Sequence, residues 1–306
     1  MKEASFSGDR IELLQTFVRI MESGNLSAAA QRMDTTQPTV SRRLQALERL
    51  FGVRLMRRST HALTLTPDGQ RCYALSQALL GEWQALDEEL RGAEAAPTGT
   101  LRVLVPHALG QEQLVAPLAR YLDAFPEVDV EWLLQDRRPD FAAEGIDCAI
   151  QVGPVDDPGL VAIHLFDLPR IVVGAPSLVT GRDLPADASQ LQDWPWLALH
   201  TFYRDRVEMR RIADGAGEVF AIRPRLRTDS LYALRHAALA GLGVGIVSAW
   251  LVQGDLQAGR LVHLVPQWQA LPLPVHLVYP YIRHPPARLR RFIEVVKGSG
   301  LGAPPG

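Results

Sequence analysis

The chain has 306 residues, of which 47% are hydrophobic and 22% are charged. This length suits two or three domains, and this hydrophobic content excludes a globally disordered chain. The two cysteines, Cys72 and Cys148, cannot build a disulfide framework or a cysteine-based zinc site. A reducing compartment is therefore expected, and we predict a cytoplasmic protein.

Charge is distributed unevenly along the chain. Residues 1–66 carry 10 Lys and Arg against 6 Asp and Glu, whereas the remainder carries 22 against 28. A basic first segment followed by an acidic body is typical of a chain whose first part meets a polyanion. Lys occurs only at Lys2 and Lys297, and a GC-rich genome explains this preference for Arg as readily as phosphate binding does.

Three short helices are predicted before Gly52. Apolar residues at helical spacing predict a helix over 11–21, and Ser27 is the expected cap of a second helix over 28–33. A third helix is expected from Gln37, and Gly52 ends it. Its apolar stripe is expected to be buried and comprises Val40, Leu44, Leu47 and Phe51. Arg42, Arg43 and Gln45 fall off this stripe and are expected to face solvent.

A short hairpin and a long helix are predicted next. Residues 53–65 fit two short strands that carry Arg54, Arg57 and Arg58. Thr66 is expected to cap a helix that runs to about Gly92. Its apolar residues form one seam, made of Cys72, Leu75, Leu79, Trp83, Leu86 and Leu90. Such a seam packs against a second copy of the helix or against the chain's own C-terminal part.

From residue 101 onward, apolar strand-like runs alternate with helical patterns. The predicted strands are 101–105, 128–134, 148–152, 171–173, 197–199, 244–247 and 275–279. The predicted helices lie near 110–124, 139–144, 230–241 and 287–297, while 200–227 is weakly patterned. The alternation predicts an α/β fold in which helices cover a mostly parallel sheet, with enough residues for two lobes.

One segment carries a specific resemblance. Residues 27–44 closely resemble the helix-turn-helix of LysR-type transcription regulators, and 51–58 is similar to the family's wing. Residues 65–69 resemble the start of the family's linker helix, while 144–153 and 240–246 resemble landmarks of its effector domain. Several landmarks in the right order are more specific than any one of them.

The resemblance implies three segments. These are a winged helix-turn-helix domain over 1–66, a linker and dimerisation helix over 67–96, and a two-lobed effector domain over 97–306 that is similar to periplasmic binding proteins. The implied function is a sequence-specific DNA-binding transcription regulator that responds to a small molecule held between the lobes. The implied partners are double-stranded DNA, the effector and a second copy of the chain, as a homodimer or a homotetramer.

The start of the third helix is the expected reading element, since short polar groups there can meet phosphates and base edges. The helix is expected in the major groove, with the wing on the flanking backbone. The predicted DNA-contacting residues are Ser27, Thr36, Gln37, Pro38, Thr39, Ser41, Arg42, Arg43, Arg54, Arg57 and Arg58.

Effector contacts are expected where strands end at the cleft. The predicted residues are His107, Ala108, Asp136, Gly153, His200, Thr201, Ser230 and Ser248. His107 and His200 are candidates for contacting an anion, with capping of a strand as an equal alternative. The family often has a small hydroxyl residue after the first strand, where this chain has His107 and Ala108, so no effector is carried over from relatives.

The sequence contains no recognisable motif for catalysis, metal binding or cofactor binding. No Ser, His and Asp set has a nucleophile elbow, and the eight His residues lack ligand spacing, so no catalytic residue, metal or cofactor is predicted. The glycines of 241–245 follow a helix rather than a strand, which disfavours a dinucleotide loop. The longest apolar run, 237–252, is shorter than the roughly 20 residues of a membrane helix. An α/β enzyme with an accessory helix-turn-helix domain is the alternative function.

Overall fold

The computed structural model describes residues 10–58, 63–91, 96–181 and 183–301. The helices are α1 (Arg10–Ser23), α2 (Leu26–Arg32), α3 (Gln37–Phe51), α4 (Pro67–Arg91), α5 (His107–Gln111), α6 (Val115–Ala124), α7 (Phe141–Glu144), α8 (Leu231–Leu239), α9 (Ala249–Gln257) and α10 (Ala287–Lys297). The strands are β1 (Met56–Arg58), β2 (Leu63–Leu65), β3 (Gly99–Val105), β4 (Val128–Leu134), β5 (Cys148–Val152), β6 (Leu160–Gly174), β7 (Trp196–Leu199), β8 (Arg206–Arg211), β9 (Gly217–Ala221), β10 (Pro224–Thr228), β11 (Val244–Ser248), β12 (Val262–His263) and β13 (Trp268–Pro280).

Helices α1, α2 and α3 pack around one small core, in which Phe17 and Leu47 are fully buried. The predicted cap of α2 is wrong. Asn25 takes that place, and its side-chain oxygen accepts the Ala28 N–H at 2.8 Å. Phe51 was also expected in the core, but it is 49% exposed because the last turn of α3 extends beyond the core.

The hairpin of β1 and β2 leads directly into α4. Thr66 caps this helix as predicted, since its Oγ1 accepts the Gly69 N–H at 2.9 Å. Gly69 has to be glycine, because a Cβ there would lie 2.0 Å from the carbonyl oxygen of Leu55. The absence of a side chain therefore lets α4 approach the wing closely.

One sheet runs through the remainder of the chain, in the order β10-β7-β11-β6-β13-β5-β3-β4. The expectation of a mostly parallel sheet is wrong. Strands β3, β4 and β5 pair in parallel, as do β7, β10 and β11, but the long β6 and β13 pair antiparallel at the centre. Only short pieces of these two strands were predicted, because polar residues interrupt their apolar runs.

Two hydrophobic cores divide this sheet into two lobes. Lobe I holds β3, β4, β5 and α10, and its core includes Tyr121 and Phe292. Lobe II holds β7, β10, β11 and α8, and its core includes Trp196 and Trp268. Strands β6 and β13 contribute to both cores, so the chain crosses twice between the lobes. The hairpin of β8 and β9, the helix α9 and the split into α5 and α6 were not predicted.

Cys148 lies in β5 and is completely buried. Burial raises the pKa of its thiol well above the ordinary value. A thiol in this setting packs as a small apolar residue and is a poor nucleophile. Across the described ranges, no helix is both long enough and apolar enough to cross a membrane.

Candidate functional sites

The first turn of α3 presents a polar surface. Thr36, Gln37 and Pro38 are exposed, whereas Thr39 and Ser41 are half-buried. Thr36 makes no side-chain capping bond to the helix, and its hydroxyl instead lies 2.9 Å from that of Thr39. The positive end of the helix dipole is therefore displayed together with hydroxyl and amide groups, an arrangement that suits phosphate oxygens and base edges.

The two adjacent arginines of α3 lie in different environments. Arg42 is exposed and folds back along the helix, where its Nε donates to the Pro38 carbonyl at 3.4 Å. Arg43 instead turns toward α1 and pairs with Glu12, and its side chain is only 23% exposed. The expectation that both face solvent therefore holds for Arg42 and is wrong for Arg43, whose carboxylate partner lies on α1.

The wing is attached to α3 by a residue that the sequence did not single out. Glu48 accepts the N–H groups of Leu55 and Met56, at 2.9 and 3.3 Å. Arg54 and Arg57 are exposed on this wing. Glu48 therefore fixes the position of the wing relative to α3. Of the other predicted residues, Ser27 is exposed in α2, and the side chain of Arg58 lies outside the described residues.

The seam of α4 is uncovered. Leu75 is 71% exposed, and Leu79, Trp83 and Leu86 are each close to half exposed. Cys72 is half-buried, and the side chain of Leu90 lies outside the described residues. The expected alternative, in which the seam packs on the C-terminal part of the same chain, does not apply to Leu75, Leu79 and Trp83, whereas Leu86 lines a small pocket with Arg283 and His284.

A cavity of about 430 Å³ lies between the two lobes. Of the predicted effector residues, Ala108, Asp136, Thr201 and Ser248 line it. The cavity is bounded by both lobes, since its lining also includes Ile150 of β5 and Leu199 of β7. The ends of parallel strands thus meet at a cleft, as predicted for sheets of this kind.

The other four predicted effector residues lie outside the lining. The His107 N–H and imidazole both bond the Asp136 carboxylate, at 3.1 and 3.0 Å, so His107 positions a lining residue. Ser230 caps α8 by accepting the Ala233 N–H at 3.2 Å. His200 directly follows β7 and Gly153 directly follows β5, and neither of them lines the cavity.

Sequence reasoning missed Arg170, Tyr203 and Trp250, which all line the cavity. Arg170 is only 9% exposed, and burial lowers the pKa of its guanidinium. The available signal was an arginine directly before the predicted strand 171–173, because charged residues are rarely buried without a reason. Tyr203 is buried, and its hydroxyl donates to the Ile246 carbonyl.

One hydrogen bond joins the lobes across the cleft. The hydroxyl of Tyr232 in α8 donates to the carboxylate of Glu112, which directly follows α5. Burial, followed by this contact with Glu112, raises the pKa of the Tyr232 phenol to about 12. The neutral phenol therefore persists at physiological pH and can donate to the carboxylate.

The fold, the exposed start of α3 and the cavity between the lobes define a class of protein. In this class a winged helix-turn-helix domain is joined by a long helix to a two-lobed ligand-binding domain. Two family models match the chain. The LysR substrate binding domain matches residues 94–300, and the bacterial regulatory helix-turn-helix protein of the lysR family matches residues 11–70. The chain therefore belongs to the LysR family of DNA-binding transcription regulators.

The relatives are regulators rather than enzymes. An HTH-type transcriptional repressor of Pseudomonas aeruginosa is 30% identical over 293 residues, covering 94% of this chain and 91% of the relative. The regulator CrgA of Neisseria meningitidis serogroup C is 30% identical over 287 residues, covering 92% and 94%. The solved structure of CrgA from N. meningitidis covers 95% of this chain and 99% of its own, with 27% identity and a TM-score of 0.58. Full-length OxyR from P. aeruginosa, at 21% identity, covers 97% and 96% with a TM-score of 0.72, and shows the shared fold.

Proposed function

We propose that this regulator places the start of α3 in the major groove of DNA, with the wing on the flanking phosphates. The observation that carries the proposal is the exposed first turn of α3, anchored from behind by the buried Val40, Leu44 and Leu47. Arg42 lies on the same outer face and supplies a cation for the DNA backbone or a base edge.

The test is footprinting and affinity measurement on operator DNA selected from the source genome. Arg42→Ala should weaken specific binding by roughly tenfold or more and should reduce the salt dependence. Arg49→Ala, at the far end of the same helix, is the matched control and should change affinity much less. Equal losses for the two variants would remove the start of α3 from the interface.

We further propose that α4 pairs with α4 of a second copy, so that 67–96 acts as the linker and dimerisation helix between 1–66 and 97–306. The exposed seam supports this pairing, because large apolar side chains on one helix face favour burial against a partner. Two helix-turn-helix domains joined in this way would recognise an inverted repeat in the DNA sequence. A homotetramer would then form through contacts between effector domains.

Sedimentation of Leu79→Glu is the test of this pairing. A carboxylate placed on the seam should dissociate the dimer, since two such charges would meet across the interface. The matched control is Gln70→Glu, which adds a carboxylate at an exposed position of the same helix and should leave the oligomeric state unchanged. Gln70 precedes Leu79 by about two and a half helical turns and therefore lies on the opposite face. A dimer that persists in Leu79→Glu at micromolar concentration would contradict the proposal.

In the proposed mechanism, an effector in the cleft changes lobe closure and thereby the arrangement of the two readers on DNA in the cytoplasm. The ligand shifts a population only to the extent that it binds one lobe arrangement better than the other. The Glu112–Tyr232 hydrogen bond is one contact that such a shift would make or break.

A further inference from the structure

Arg170 occupies the point where the chain crosses between the lobes. In the sheet it is opposite Ser248 of β11 on one side and Ala270 of β13 on the other. The register of β13 against β6 shifts between Ala270 and Leu273, and the side chain of Arg170 reaches into this irregularity. A ligand that contacts Arg170 would therefore touch the junction of the two lobes.

The charge of Arg170 is incompletely satisfied. Its Nε donates to the Leu271 carbonyl at 2.8 Å, and its Nη2 bonds the same oxygen. The guanidinium carbon lies 5.6 Å from the centre of the Tyr203 ring. Within the described ranges, no carboxylate forms an ion pair with Arg170, and its buried Nη1 has no hydrogen-bond partner.

Burying Arg170 in this way destabilises the protein unless another group supplies a negative charge and a hydrogen-bond acceptor. A buried guanidinium remains protonated, because arginine is not deprotonated in proteins. Burial of a charge without a counter-charge destabilises a protein, and a buried donor without an acceptor adds to the cost. A carboxylate satisfies both requirements, since it supplies a negative charge and acceptor oxygens that match the donors of a guanidinium.

A second lining residue, Trp250, also carries a buried donor. The indole Nε1 of Trp250 is buried and, in the described part of the chain, has no hydrogen-bond partner. Trp250 lies in the first turn of α9, two residues after Ser248, which pairs with Arg170 in the sheet. Two residues of the lining thus carry buried donors that have no hydrogen-bond partner in the described part of the chain.

The remaining lining is largely apolar and determines the body of the ligand. Ile150, Leu168, Leu199, Leu231 and Leu273 line the cavity from both lobes. The volume of about 430 Å³ falls in the range of small-molecule pockets, roughly 300–1,000 Å³. Asp136, Asp229, Arg137 and Arg138 also line it, so polar groups of the ligand would meet charges of both signs.

We propose that the cleft binds a small carboxylic acid with an apolar body, its carboxylate against Arg170 and a ligand acceptor on the Trp250 indole N–H. This inference rests on the proposed effector role of the cleft and specifies the chemistry of its ligand. The proposal excludes polycations, sugars without a carboxylate and neutral hydrocarbons as preferred ligands.

The experiment is calorimetric titration of the full-length protein with matched pairs of acid and amide. The probes are benzoate with benzamide, cyclohexanecarboxylate with its amide, and hexanoate with hexanamide. At least one acid should bind, and it should bind roughly tenfold or more tightly than its amide, because a hydrogen bond to a charged group is worth more than a neutral one. Equal binding of acid and amide throughout, or binding by no acid, would overturn the proposal.

Variants assign the carboxylate to its partner. Arg170→Gln should abolish the preference for acid over amide, whereas Arg204→Gln, which changes an exposed arginine outside the lining, should retain it. Retention of the preference in Arg170→Gln would overturn the proposal. Because Arg170 also bonds the Leu271 carbonyl, far-ultraviolet circular dichroism and melting temperature must first show that the variant is folded.

Trp250→Phe provides an independent test that leaves Arg170 intact. It keeps an aromatic ring but removes the N–H, and it should weaken acid binding severalfold. Unchanged acid affinity in Trp250→Phe would overturn the part of the proposal that concerns the indole.

Separate outcomes distinguish this inference from the effector role of the cleft. If amides bind as well as acids and Phe202→Ala or Leu231→Ala weakens both, the cleft is a ligand site and only the carboxylate assignment fails. If an acid binds with the predicted preference, but binding is unaffected by every cleft variant, then both the cleft role and the carboxylate assignment fail.

Discussion

Arg42 and Arg170 place the same kind of side chain in two opposite environments within one protein. Arg42 is exposed at the start of α3, where water and salt surround it. Arg170 is buried at the junction of the lobes, with no carboxylate partner within the described ranges. An exposed cation suits a large polyanion that brings many weak contacts, whereas a buried cation suits a small ligand that brings one strong contact.

The largest expected effect concerns salt. Raising the salt concentration from 50 to 200 mM should weaken DNA binding on the order of a thousandfold or more, because DNA releases counterions at every neutralised phosphate. Binding of an acid in the cleft should change much less over the same range, because buried pairs are poorly screened. Parallel titrations of DNA and acid check this, and a similar salt slope for both ligands would break the comparison.

A buried carboxylate in lobe II tests the premise that a buried charge is stable in the fold only when opposite charges pair with it. The Asp255 side chain is fully buried and receives bonds from Arg235 at 2.6 Å and Arg260 at 2.7 Å. Asp255→Ala should lower the free energy of unfolding by about 1.5–3 kcal/mol, since it removes the charge-assisted hydrogen bonds that Asp255 accepts from Arg235 and Arg260. Urea unfolding measures the loss, with the exposed Asp214→Ala as control, and equal losses for both would contradict the premise.

The same aspartate carries a pH dependence. Burial opposes ionisation of Asp255, but the two arginines outweigh it and hold its pKa below the ordinary value. The stabilisation is therefore complete above the unfolded-state pKa of about 3.9 and is lost as the pH falls through the lower folded-state pKa. Asp255→Ala should accordingly lose part of the acid-dependent change in stability that the unmodified protein shows.

A smaller effect is expected where the wing joins α3. Glu48→Ala should lower the free energy of unfolding of the N-terminal domain by about 1–3 kcal/mol, because the N–H groups of Leu55 and Met56 lose their acceptor. Glu48→Gln retains a side-chain oxygen and should lose less. Thermal unfolding with operator footprinting separates the two variants, and identical losses would show that the charge rather than the acceptor matters.

The smallest effect is expected at Arg43, whose environment in α3 differs from that of Arg42. Arg43→Ala should cost less than about 1 kcal/mol in stability, because its pair with Glu12 is partly exposed. It should also weaken DNA binding less than Arg42→Ala does, since Arg43 is engaged within the protein. Electrophoretic mobility shifts of both variants provide the measurement, and a larger loss for Arg43→Ala would indicate that DNA displaces Glu12.

Local signals predicted the DNA reader well. The α3 helix begins at Gln37 and ends before Gly52, whose φ of 69° makes it a left-handed cap. Thr66 caps α4, and β4, β5 and α10 have the expected bounds. These features depend on residues within a few positions of one another, such as apolar spacing and caps. The cap of α2 shows the limit, because Asn25 and Ser27 are both suitable capping residues and the sequence alone did not distinguish them.

The lining of the cleft was less predictable because its residues are distant in sequence. Strand ends identified Ala108, Asp136, Thr201 and Ser248, but the same reasoning also selected His107, which positions Asp136 instead. The central β6 and β13 were underestimated, since strands that cross between two lobes follow neither simple alternation nor a continuous apolar run.

Sequence by itself determined the family, the helix-turn-helix and the alternation of strands and helices, because each is encoded by neighbouring residues. Only the tertiary structure decided which arginine stays exposed and which is buried. That outcome depends on what packs against each side chain: Glu12 of α1 draws Arg43 inward, while the crossing of β6 and β13 encloses Arg170 beside the cleft.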